Sequence, residues 1–334
     1  MRVGIVGTGT MGAVHAAAWR STEARLIGCL SAQQSQSDQL AVRYGIRSYG
    51  AFTNLLEDVD IVDICTPTAM HRSMVLEAAH AGKHVLCEKP VALLQEDAEA
   101  MIQACDGAGV RFFVCMVVRF FPQYRLAKDL VNTGRIGNLA VLRLKRVSYR
   151  PQKKVENWYI DETRSGGMIV DLMIHDFDFA RWLGGDVERV FARRSRSDQG
   201  AAEYAQAILR FKSGAIGLIE GGWAYPPGIF RTGFDLSGSD GLIEWSSDQP
   251  TPMHVLRAPV AEDAGAVGLP VSGIAEDPYT IEICHAYDAI RTGKPFDVTA
   301  EDALQSLRIA LAARESINTN QPAILWNANW NTQL

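Results

Sequence analysis

The apolar run GGMIVDLMIHDFDFARWLGG, residues 166–185, is interrupted by four side chains that can exchange protons or hold a cation: Asp171, His175, Asp176 and Asp178. A helix advances about 100° per residue, so Asp171, His175 and Asp178, at i, i+4 and i+7, share one face. Asp176 points elsewhere, to solvent or to a structural partner. Leu172, Ile174, Phe179, Trp182 and Leu183 bury the remaining sides. An imidazole titrates near neutral pH, and a carboxylate one turn earlier can orient it or share a substrate's hydrogen bonds, so the pattern suits proton transfer. The alternative is a core histidine whose hydrogen bonds are internal. No second histidine or cysteine lies close in sequence, so no metal is expected.

Two further motifs carry chemistry. Cys87-Glu88-Lys89-Pro90 closes an apolar run, HVLCEKP. An ammonium at a parallel strand's C-terminal end can steady negative charge on a substrate oxygen; a plain surface lysine is the alternative. Gly7-Thr8-Gly9-Thr10-Met11-Gly12 lies between a strand and a helix. There Gly7 permits a tight turn, Gly9 lets backbone N–H groups approach a pyrophosphate, and Gly12 lets helix and strand pack closely. Thr10 and Met11 open the helix whose N-terminus faces the anion. About 20 residues on, where an acid would take the ribose hydroxyl of NAD, the chain reads Leu30-Ser31-Ala32-Gln33-Gln34. The missing acid tilts the expectation towards NADP, although the expected basic residue is missing too. Thr66, Pro67 and Thr68, with His71, follow the third apolar run and are expected to face the nicotinamide half; His71 suits a supporting role equally well. His15 is read as structural.

The elements that must position these residues follow from the hydrophobic pattern. Up to residue 118, short apolar runs (2–9, 25–30, 60–67, 84–90, 111–118) alternate with helical stretches (12–21, 38–45, 73–82, 96–109). That alternation predicts an α/β fold with a doubly wound parallel sheet. After Pro122 the pattern changes. A helix over 124–137 leads into strands at 139–149, 188–196, 203–211, 215–225, 230–238 and 242–247, with Lys212-Ser213-Gly214 as a hairpin turn. Strand after strand predicts a large, mostly antiparallel open sheet. A last amphipathic helix covers 300–317, and 92–97 and 262–277 read as loops. The expected division is 1–120 for the dinucleotide domain and 121–334 for a substrate-binding and oligomerisation domain.

Composition sets bounds. Thirty-three Lys and Arg against 38 Asp and Glu leave a net charge of −5, which argues against nucleic acid or an anionic membrane as partner. The six cysteines form no CxxC pair and mostly sit in strand-like runs, as buried free thiols of a reduced compartment do. The longest apolar run, FFVCMVV, is too short to span a bilayer, and MRVGIVG begins a strand at once, so a cytoplasmic protein is expected.

Together, GTGTMG at 7–12, AGKHVLCEKP at 81–90 and SGGMIVDLMIHDFDFARWL at 165–183 resemble the Gfo/Idh/MocA family of NAD(P)-dependent oxidoreductases. The resemblance extends from residue 1 to about 320. It implies an N-terminal Rossmann domain, a C-terminal domain whose open sheet makes a homodimer or homotetramer, and inositols, sugars and other polyols as substrates. It also implies a catalytic set of Lys89, Asp171 and His175 that meets the substrate; Arg119 and Tyr279, in segments expected to line the pocket, are further substrate candidates, with pairing to local acids as the alternative for Arg119. Glu88, Lys89 and Trp158 join the residues expected beside the cofactor. Two departures stand out: Ser31 replaces the acid common in NAD-preferring members, and Val117-Val118 precede Arg119-Phe120 where many members carry Asn or Arg. Two other functions fit the motifs: a cofactor-using glycosidase or lyase with transient oxidation and no net redox, and a non-catalytic dinucleotide sensor.

Overall fold

The computed structural model describes residues 1–151, 157–197, 202–248 and 277–325. The chain forms two compact units, Met1–Phe121 with Ser272–Leu307, and Pro122–Val271 with Arg308–Leu334.

The first unit is built from β1 (Arg2–Val6), α1 (Thr10–Trp19), β2 (Arg25–Leu30), α2 (Gln34–Tyr44), β3 (Arg47–Ser48), α3 (Phe52–Asp58), β4 (Ile61–Ile64), α4 (His71–His80), β5 (His84–Glu88), α5 (Gln95–Gly107) and β6 (Phe112–Cys115). The six strands are parallel in the order β3-β2-β1-β4-β5-β6, which puts the reversal of strand order between β1 and β4. That is the doubly wound sheet expected from the alternating pattern, and ligands of such sheets bind at the C-terminal strand ends beside the reversal. All four residues of β4 and of β6 are buried, as strands covered on both faces must be.

The second unit starts with α6 (Pro122–Asn132) and β7 (Leu139–Ser148), followed by α7 (Glu162–Ser165), α8 (Gly167–Asp171), α9 (Ile174–Gly184), β8 (Val187–Arg196), β9 (Glu203–Phe211), β10 (Ile216–Trp223), β11 (Phe230–Gly238) and β12 (Leu242–Ser246). Burial alternates strictly along β9, as a sheet with one covered and one open face requires. β9 and β10 pair antiparallel around the expected turn at 212–214. Then come α10 (Pro278–Thr292), α11 (Ala300–Thr319) and β13 (Ala323–Ile324). The seven strands run β12-β11-β7-β10-β9-β8-β13, antiparallel except for β7 with β10.

Three expectations change in detail. The first segment of the first unit ends at Phe121, beside the expected boundary, but α10 joins that unit as well, with Tyr287 edge-on to Trp19 at 6.2 Å and the Arg111 guanidinium donating to the Gly293 carbonyl at 3.2 Å. Gln95 already begins α5, inside the stretch read as a loop, because Glu96 and Asp97 in its first turn complement the helix N-terminus. α6 ends at Asn132, before the expected glycine stop, and residues 133–137 form turns. The expected loop over 262–277 lies, except for Asp277, outside the described residues.

Candidate active site

In the first unit, β1 runs into the glycine motif. Gly7 has φ +95°, and a Cβ there would meet the Cys65 carbonyl at 2.5 Å. A Cβ on Gly12 would lie 1.9 Å from the Gly7 carbonyl, so this position admits no side chain. At Gly9 nothing stands within 4 Å: the backbone there is open to an incoming group, not packed on protein. Gly9 caps α1 without a side-chain hydrogen bond, and the buried Thr8 hydroxyl has no hydrogen-bond partner. Backbone N–H groups at a helix start, an open approach and an unused hydroxyl fit a dinucleotide's pyrophosphate. Thr10 and Met11 form the helix's first turn. Beyond β2, Ser31 receives a long contact from the Gln33 N–H at 3.4 Å, while the Gln34 amide donates to Asp38 at 2.9 Å and Ser48 at 2.7 Å.

After β4, Thr66, Pro67 and the buried Thr68 lead into a short 3-10 turn. His71 follows with no exposed surface, Nδ1 2.9 Å from the Pro90 carbonyl and Nε2 3.0 Å from that of Thr66. Burial pulls its pKa down despite the backbone bonds. A neutral imidazole carries one N–H, so His71 donates to one of these two carbonyls and faces the other. Lys89 follows β5, and of residues 85–92 it alone is partly exposed. The Glu88 carboxylate Oε2 accepts the Lys89 backbone N–H at 2.9 Å.

The residues expected on the substrate side of this unit are less open. Arg119 is 2% exposed, and its guanidinium donates to the Asp297 carbonyl and the Asp302 carboxylate, both at 3.3 Å. Tyr279 is 6% exposed and edge-on to Phe121, with burial pushing its phenol pKa up.

In the second unit, the single helix expected over Asp171–Asp178 is two. α8 ends at Asp171 and α9 begins at Ile174. Met173 N–H skips back to the Met168 carbonyl, as does that of Leu172, and this widened turn separates Asp171 from His175. Equal 100° steps therefore do not relate the two residues. Asp171 is 7% exposed, and His175 is the one partly exposed residue among 171–180. Asp178 is 1% exposed. Asp176 is not solvated: its carboxylate pairs with Arg146 at 2.7 and 3.3 Å, both side chains being at most 2% exposed. Trp158 stacks on Tyr159 at 4.0 Å in a 3-10 turn, and the Tyr159 carbonyl accepts from Ser165 at 2.9 Å.

Sequence reasoning overlooked a buried polar cluster in the first unit. His15 Nδ1 lies 3.0 Å from both oxygens of Asp63 and 3.3 Å from Cys65 Sγ, and Trp19 donates to Asp63 at 2.7 Å. His15 Nε2 lies 3.1 Å from Glu88 Oε1, close enough for an ion pair but off the hydrogen-bond line. Burial is the largest influence on His15 and opposes its charge, but Asp63 and Cys65 together outweigh it, so its pKa is raised well above the ordinary value. The His15, Asp63 and Cys65 ligand-type atoms lie within 4.8 Å of one another, but they already bond among themselves and to Trp19. Nearby, Glu282 has no exposed surface and no hydrogen bond to either oxygen. The available signal was Asp63, a lone acid inside the apolar strand IVDI.

Residues 1–116 match the model of an oxidoreductase family with an NAD-binding Rossmann fold, and residues 124–244 match the GFO/IDH/MocA C-terminal domain. Myo-inositol 2-dehydrogenase of Thermotoga maritima is 31% identical over 330 residues, covering 95% of this chain and 96% of its own. Scyllo-inositol 2-dehydrogenase (NAD(+)) of Bacillus subtilis is 28% identical over 345 residues, covering 97% and 96%. The crystal structure of GenD2 from gentamicin A biosynthesis, in complex with NAD, superposes with a TM-score of 0.85 at 25% identity, covering 98% of this chain and 97% of that one. With both domain models matched in order and nearly full-length relatives, the chain belongs to the Gfo/Idh/MocA oxidoreductase family, with an NAD-binding Rossmann domain at its N-terminal end.

Proposed function

We propose that the protein transfers hydride between NAD(P) and a CH–OH or C=O group of a sugar, an inositol or a related polyol. One observation carries the reading. Lys89 and His175 are the partly exposed positions in two otherwise buried stretches, 85–92 and 171–180. The bound dinucleotide supplies the hydride acceptor or donor. In oxidation His175 takes the hydroxyl proton, Lys89 steadies the alkoxide-like oxygen, and Asp171 holds the hydroxyl or the lysine in place; reduction reverses these roles. The relatives named as inositol dehydrogenases support the substrate class.

The absence of an acid after β2 supports acceptance of NADP as well as NAD, with a slight preference for NADP. Names and structures of relatives carrying NAD weigh on the other side. Ile208 and Leu218, paired across β9 and β10 and 47% and 38% exposed, support a homodimer or homotetramer through the open sheet face. Among the described residues no helix is long and apolar enough to cross a membrane, and a cytoplasmic setting is proposed. The test is a panel of inositols, aldoses and ketoses with each coenzyme, followed by nicotinamide absorbance. Net absorbance change with a polyol is expected; product formation without it would replace this reading by transient oxidation.

A further inference from the structure

The backbone on both sides of Lys89 is held by a buried histidine. On one side His71 Nδ1 meets the Pro90 carbonyl at 2.9 Å. On the other the connection runs through three side chains. Asp63, in the centre of the sheet, is fixed by the Trp19 indole at 2.7 Å and by His15 Nδ1 at 3.0 Å. The opposite nitrogen of His15 faces Glu88 Oε1 at 3.1 Å, and Glu88 Oε2 accepts the Lys89 N–H at 2.9 Å. The Glu88 carboxylate is therefore divided, one oxygen to a histidine and one to the backbone that carries the lysine.

We propose that His15 is a positioning residue for Lys89: gripped by Asp63, its imidazole holds the Glu88 carboxylate against the Lys89 N–H and so sets where the ammonium stands. This rests on the reading of Lys89 as the group that holds the substrate oxygen. Stability alone does not account for the arrangement. A buried ion pair is often no more stable than apolar side chains of the same volume, because desolvation offsets the attraction. What such a network adds is a single geometry. Glu282, the other buried carboxyl near His15, does not take up the imidazole: neither of its oxygens makes a hydrogen bond, and burial first, with Glu88 second, raises its pKa well above the ordinary value.

Two substitutions separate positioning from bulk structure. His15→Asn places its amide near the Nδ1 position and keeps the Asp63 side. His15→Gln places its amide near Nε2 and keeps the Glu88 side. Both lose the positive charge, so their difference reports the Glu88 contact. The readouts on the full-length protein are amide hydrogen exchange at Lys89, coenzyme Kd, and kcat and KM with the best polyol of the panel. Losing one partner of a buried ion pair is worth about tenfold or more. His15→Asn is therefore expected to speed Lys89 exchange and lower kcat at least about tenfold with coenzyme Kd unchanged, whereas His15→Gln stays within about threefold of wild type on both. Equal losses in the two variants, or losses that follow coenzyme Kd, overturn the proposal. If neither variant folds, Glu88→Ala decides: exchange and kcat at wild-type values overturn it, and faster exchange with lower kcat upholds it. Should the wild type turn over no polyol, the exchange difference still decides the positioning role, and the functional reading alone falls.

Discussion

Replacing Glu282 by Gln should change how stability depends on pH. Glu282 lies on α10 with no exposed surface and no hydrogen bond to either carboxyl oxygen. Burial first, and the neighbouring Glu88 second, raise its pKa well above the ordinary 4.5, with His15 opposing. An acid of this kind binds more protons in the folded chain than in the unfolded one. Its contribution to stability is therefore full below pH 4.5 and falls as pH rises towards the folded pKa. One proton gives a slope of about 1.4 kcal/mol per pH unit. Glutamine is neutral at every pH and nearly the same shape, so the slope disappears in the variant. His15, whose folded pKa is also raised, contributes a slope of the same sign, but only above its ordinary 6.5. Between pH 4.5 and 6.5 the difference between the two proteins thus isolates Glu282.

The assay is thermal or urea unfolding of wild type and Glu282→Gln at half-unit pH steps. At the acid end both carry a neutral side chain and should melt together. Each further unit should favour the variant by about 1.4 kcal/mol, or about 3–5 °C for a unit of this size. Parallel stability curves across the window would refute the reasoning, because they would mean that Glu282 ionises in the fold as readily as in the unfolded chain.

Asp176→Ala should cost about 3–5 kcal/mol in denaturant melts by stranding the buried Arg146, and Arg146→Met with Asp176→Leu should recover most of it. Gly9→Ala meets no protein atom within 4 Å, so its melting point should stay close to wild type while coenzyme Kd in a fluorescence titration rises at least about tenfold, the effect of blocking the pyrophosphate's approach. His175→Ala should lower kcat about 10²–10⁴-fold and leave coenzyme Kd unchanged; turnover near wild type removes His175 from the chemistry.

Legibility from sequence followed the strength of the local signal. The strands of the parallel sheet stand as apolar runs between helices, and β9 shows an unbroken alternation of period two. β3, a two-residue strand paired only with Gly28 and Cys29, has no period to detect, and α3 after it went unread as well. The break between α8 and α9 was hidden because Leu172 and Met173 keep right-handed helical backbone angles and only the hydrogen bonding changes. α10 returns to the first unit through contacts with Trp19 and Arg111, residues more than 180 positions away. Such pairing has no local trace.

The polar residues divide along a related line. Asp176, Asp63 and Glu282 all sit in buried segments, yet they have three different fates: a matched arginine, a histidine with an indole, and no partner at all. Which fate applies depends on residues brought in from other elements, so no window of sequence around each acid distinguishes them. Lys89 and His175 differ in that their own neighbours identify them. An ionisable residue in a stretch apolar enough to be buried has two stable outcomes, since an unpaired buried charge costs several kcal/mol. Either that residue finds an internal partner, or its head group reaches the surface at the one position where the segment emerges. Lys89 and His175 are each the partly exposed residue of an otherwise buried stretch. A head group held in this way loses little rotamer freedom when a substrate arrives, and that preorganisation is what acid–base and oxyanion chemistry require.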